Sequence, residues 1–171
     1  MYDSAPTAYH EAGHAVAHWL FNFPIERVSI VSEDDHLGAV YGSAVHIEFA
    51  ETADDSNEVE KKLKNAIIIY LAGGEAQRHF DADTVETWHE EEDRENALEV
   101  LWHLGYPSTT LEIMYQELFA ETVQLVTDHW KHIETLALAL VEERELTGER
   151  VIQLLSQANE EPDLSMQDRA P

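Results

Sequence analysis

The chain has 171 residues, a length that suits one domain, and 44% hydrophobic with 9% aromatic residues are enough to build a core. Thirty-five acidic residues against ten basic ones leave a formal charge of −25, which repels nucleic acid and anionic membrane surfaces. With no cysteine there is neither a disulfide nor a thiolate ligand, so a bound metal has to be held by histidine and carboxylate.

No basic region followed by an apolar stretch opens the chain, and its most apolar run, residues 66–72, is too short to span a bilayer. A soluble, cytoplasmic protein without a membrane segment is expected. The first helix is predicted from about Pro6 to Phe21. Pro6 is tolerated in a first turn, alanines recur along the segment, and Pro24 disfavours helix at the residue before it. Within it, TAYHEAGHAVAHWL (residues 7–20) carries the pattern H-E-x-x-H at His10, Glu11 and His14. On a helix, positions four apart lie on one face, so two imidazoles converge on one ion, whereas a strand would hold them roughly 13 Å apart. A catalytic zinc site takes three protein ligands and leaves a position open for water. Glu11, roughly 100° round the helix from His10, is placed to act as the general base. His18, one turn further on, is read as a packed histidine, because a metzincin pattern would want its third histidine where Leu20 stands.

The period then changes. Val28 and Ile30 in ERVSIVS, and the β-rich AVYGSAVHI from Ala39 to Ile47, predict a hairpin or small sheet with residues 33–38 as its turn. Gly38 and Gly42 leave room for a bulge or close backbone approach, and an edge here can accept an extended peptide. After an acidic, turn-rich segment at 51–57, a helix is predicted from Asn57 to Phe80, expected to be the most buried of the chain. Gly73 and Gly74 inside it each cost about 1 kcal/mol against alanine, which makes sense where another backbone packs closely. His79 near its end suits a helix C-terminus.

In WHEEEDRENALEVLWHLGY a third ligand is sought. At 100° per residue Asp93 points with the apolar stripe of Ala97, Val100, Leu101 and Leu104, and a carboxylate buried there needs a partner such as a bound cation. Glu91 and Glu95 point away as solvated charges. His89 and Glu90 share the inward side and remain rival ligands on these grounds. Gly105, Pro107 and Ser108 break the helix. A long helical region is predicted from Thr109 through Leu136, Leu138 and Leu140, in which Trp130 and His132 read as packing residues. Residues 145–148 read as a turn, with Thr147 capping a last helix through Val151 and Leu155. The domain is expected to span residues 1–157, with 158–171 as a flexible tail.

AYHEAGHAV resembles, almost residue for residue, the active-site helix of the FtsH family of membrane-anchored, ATP-dependent zinc metallopeptidases. IIIYLAGGEAQRHF is similar to the glycine-containing helix after that family's small sheet, and HWKHIETLALALVEERELTGERV to its C-terminal helices. The chain thus resembles the FtsH peptidase domain over most of its length. The family's third ligand is an Asp in a segment close to S-N-D-L-x-x-A. EEDRENA corresponds to it here, so the resemblance implies Asp93 as the ligand, ahead of His89 and Glu90. Two departures stand out: WHEEE replaces the small and threonine-rich residues usual before that Asp, and no G-x-x-x-x-G-K-[ST] loop occurs.

The expectation is a mainly α (α+β) domain with a small hairpin or sheet after the metal helix and a C-terminal helical bundle. It is read as a stand-alone zinc (Zn2+) metallopeptidase that hydrolyses flexible peptides or unfolded proteins. His10, His14 and Asp93 are the expected ligands and Glu11 the base. The alternative is a non-catalytic, zinc-bound FtsH-like module for protein interaction. A homo-oligomer and an ATPase partner in trans are left open.

Overall fold

The computed structural model describes residues 4–31, 38–41, 56–85 and 87–160. Six helices and three short strands follow in the order α1 (Ala5–Leu20), β1 (Arg27–Ser29), β2 (Ala39–Tyr41), α2 (Ser56–Phe80), α3 (Thr87–His103), α4 (Ser108–Asp128), α5 (Trp130–Glu143), β3 (Glu145–Thr147) and α6 (Gly148–Glu160). A single 3-10 turn at Ala82–Thr84 joins α2 to α3. The protein is therefore mainly α with a small antiparallel sheet. No helix of the described residues is long and apolar enough to cross a membrane.

α1 is the central element. Ten of its sixteen residues are buried on nearly every side of the helix, which is possible because so many are alanine and because α2 and α5 both pack on it. α2, expected to be the most buried helix, has more buried residues in all but a smaller share of its length. α2 is long and apolar only between Ala66 and Gln77 and is exposed at both ends. α1 stops where Asn22 takes a left-handed conformation (φ 59°) and the Phe23 N–H returns to the His18 carbonyl at 2.8 Å, just ahead of Pro24.

The crossing of α1 over α2 is close because of glycine. A Cβ on Gly13 would stand 2.6 Å from Ala76 Cβ and inside contact with the Ala72 carbonyl. One apolar core lies between α1, α5, α6 and the sheet, through Val16, Val28, Ile133, Leu136, Leu140 and Leu155. A second joins α2, α3 and α4 through Ile67, Ile68, Ala97, Leu101, Leu111 and Leu118. α2 is the wall they share.

The expected hairpin forms as β1 and β2, with Val28 opposite Val40. Gly42 and the rest of the expected second strand, most of the turn at 33–38, and residues 51–55 lie outside the described residues. Residues 145–147, read as a turn, form β3, which pairs with the other edge of β1 and sets Leu146 against Val28. Thr147 still caps α6, its hydroxyl accepting from the Arg150 N–H at 3.3 Å. The helical region after Thr109 is two helices, broken at His129 (φ −109°, ψ 19°), so that α5 turns back onto α1. α6 continues through Glu160 with Ala158 buried, three residues past its expected end.

Candidate metal centre

The site sits where α1, α2 and α3 meet. His10 and His14 stand one turn apart on α1, and Asp93 reaches them from α3. His10 Nε2 lies 3.0 Å from His14 Nε2, and Asp93 Oδ2 lies 3.1 and 3.2 Å from the two nitrogens. Among the described residues this is the one group of histidines and acids placed to hold a metal ion. The apolar stripe that turns Asp93 inward behaves as expected, with Ala97 and Leu101 buried in the second core, and Glu91 and Glu95 are exposed. His89 and Glu90 lie on α3, but their side chains fall outside the described residues.

What surrounds the triangle decides its chemistry. Gln77 Nε2 donates to the Thr84 carbonyl at 2.7 Å, which turns Gln77 Oε1 toward His10 Nδ1 at 3.2 Å. An amide oxygen only accepts, so His10 carries its proton on Nδ1. His14 Nδ1 lies 2.8 Å from the Ile69 carbonyl and is a donor for the same reason. In the neutral imidazoles both Nε2 atoms are then lone pairs, aimed at each other and at a carboxylate oxygen that is buried and has no hydrogen to accept. Three acceptors within hydrogen-bonding distance repel unless a cation or a proton sits among them. Donor atoms around a tetrahedral zinc with bonds of about 2.0–2.1 Å stand about 3.3–3.4 Å apart. The triangle's edges differ from this by a few tenths of an ångström.

The electrostatics follow from the same geometry. Burial works against a charged His14, but the Asp93 carboxylate and the Glu11 charge overcome it and lift its pKa to about 9. Burial likewise opposes an ionised Asp93, yet the two imidazoles hold it well below the usual carboxylate range. In the metal-free chain a proton on His14 fills the place a cation can take. Glu11 is buried beside the triangle. Burial pushes its carboxyl up, the two imidazoles pull it back, Asp93 adds to the rise, and the net is upward.

Two glycines shape the walls. A Cβ on Gly73 would lie 2.6 Å from His14 Cδ2 and Cε1, so only glycine lets α2 cover that imidazole. A Cβ on Gly38 would meet Glu11 Oε1 at 2.6 Å, so the backbone entering β2 lies directly against the carboxylate. Gly73 and Gln77 are one turn apart on α2, facing His14 and His10 in that order, and the pairing runs antiparallel.

Sequence reasoning found the triangle and Glu11 but missed Gln77 and the Ile69 carbonyl. Gln77 had a signal, one turn beyond Gly73 on the same face. Of the other histidines, His18 is packed edge-on against Phe23, and burial pushes its pKa down to about 4. His79 lies tilted against Trp130, which in turn stacks on Tyr9, so these residues pack the end of α2 onto α1 and α5.

Comparison of the chain with protein-family models finds no match, and comparison with curated proteins finds none either.

Proposed function

We propose that this chain is a zinc metallopeptidase that hydrolyses peptide bonds in flexible chains, with His10, His14 and Asp93 as ligands and Glu11 as base. The observation that carries the reading is the proton arithmetic: two imidazoles with both Nδ1 atoms committed as donors, and a carboxylate, present three lone pairs to one point. When bound there, zinc supplies a Lewis acid and makes water a nucleophile at neutral pH. The chain's own contributions are separate. Gln77 and the Ile69 carbonyl fix which nitrogen of each ring is offered. Glu11, next in sequence to one ligand and buried, accepts and returns a proton, and its raised pKa brings it closer to the working range of a base at neutral pH. The resemblance of AYHEAGHAV to the FtsH active-site helix supports the same reaction class.

The test is Glu11→Gln, which keeps size and helix propensity while removing the base. The variant should keep its zinc and lose on the order of a hundredfold or more in cleavage of unfolded, cation-rich peptides. If the wild type cleaves no flexible peptide yet both proteins bind the same ones, a zinc-bound interaction module replaces the enzyme.

A further inference from the structure

Asp93 faces two spaces. Its Oδ2 closes the histidine triangle, and the residue also lines a small, partly open cavity of about 40 Å³ between α2, α3 and α4. Tyr70, Glu75 and Arg78 of α2, Arg94 of α3 and Tyr115 of α4 supply the polar groups of its lining. This volume is too small for a substrate side chain. It has room for ordered water, whose share of liquid volume is about 30 Å³ and which needs two to four polar partners.

The polar groups divide by charge. Arg78 is paired with Glu75 at 2.6 Å. The Tyr115 hydroxyl sits in the field of Arg94 and Arg78, while the Tyr70 hydroxyl, raised by burial first, is raised further by Asp93. Tyr70 lines the cavity together with Asp93, and as a donor its hydroxyl complements a carboxylate whose Oδ2 faces the imidazoles. A ligating carboxylate is ordinarily held by such an outer hydrogen bond, as a ligating histidine is held by its second nitrogen.

We propose that Tyr70 is a positioning residue for Asp93, its hydroxyl tied to that carboxylate by a water in the α2–α3–α4 cavity. This rests on the reading of the triangle as a metal site. Gln77, the Ile69 carbonyl and Tyr70 then give each of the three ligands one outer partner, all on α2, so this single helix orients the whole donor set.

The test measures zinc affinity by competition with a chelating dye for wild type, Tyr70→Phe and Tyr115→Phe, alongside thermal unfolding of the zinc-free proteins. Tyr70→Phe keeps the ring packing and should bind zinc about tenfold more weakly. Tyr115→Phe, in the same cavity but facing the arginines, should stay within about threefold of wild type, with both melting points little changed. Wild-type affinity in Tyr70→Phe, or an equal loss in Tyr115→Phe, overturns the proposal. If the wild type binds no zinc, the function proposed above fails on its own. A crystal structure of the zinc-free chain then decides Tyr70: a water bonded to both the Tyr70 hydroxyl and the Asp93 carboxylate upholds its role, and the lack of one refutes it.

Discussion

Replacing Gly73 with alanine sets two expectations against each other. By helix propensity alone, Gly→Ala inside α2 should stabilise the protein by about 1 kcal/mol, raising the melting temperature by roughly 2–4 °C for a chain of this size. The structure predicts otherwise. The new methyl carbon would stand 2.6 Å from two carbons of the His14 ring, where carbon atoms pack at about 3.5–4.0 Å, so the ring or the helix has to give by about 1 Å. The ring cannot swing freely, because its Nδ1 is tied to the Ile69 carbonyl at 2.8 Å and its Nε2 belongs to the triangle. Moving α2 instead opens the crossing at Gly13, where Ala72 and Ala76 are in tight contact. Overpacking of this kind costs about 1–3 kcal/mol and more than cancels the propensity gain. Zinc affinity should fall by about a hundredfold, the upper end of what disturbing a ligand's support costs. The assay pairs thermal unfolding of the zinc-free protein with zinc competition against a chelator. A variant that melts higher and binds zinc as tightly as wild type would refute the packing argument.

Two further outcomes follow from the same geometry. Gln77→Met keeps the volume but strands His10 Nδ1–H and the Thr84 carbonyl; it should cost about 1–3 kcal/mol in a denaturant titration, and zinc affinity should drop by about 10–100-fold. Zinc binding should also depend on pH with a definite sign: His14, raised to about 9, has to lose its proton to become a ligand, so apparent affinity rises about tenfold per pH unit from pH 7 towards 9 and then levels, with about one proton released per zinc in calorimetry.

The parts legible in the sequence were those that local pattern sets. α1 and α2 begin and end within a residue of where Pro6, Pro24 and the apolar periodicity put them, and the inward turn of Asp93 follows from Ala97 and Leu101. What escaped depends on partners far along the chain. β3 is three residues with one apolar member, Leu146, and it is a strand only because β1, far earlier in the chain, offers it an edge with Val28 opposite Leu146. The break at His129 leaves no mark, since no glycine or proline occurs between residues 109 and 143; it exists so that Ile133, Leu136 and Leu140 can reach α1. α1 is buried over a larger share of its length than α2 because α2 runs past its neighbours at both ends, which hydropathy does not record. In the site, i, i+4 spacing exposed the histidines, but the residues that fix their tautomers are 67 and 55 positions away.

The most direct test of the account is the zinc content of the purified, dialysed chain, measured by elemental analysis beside that of Asp93→Ala. Three converging lone pairs predict about one zinc per wild-type chain and nearly none in the variant, with the fold of both unchanged by circular dichroism. A wild-type chain that takes up no zinc, or an Asp93→Ala chain that keeps it all, would contradict the claim that His10, His14 and Asp93 form a metal centre.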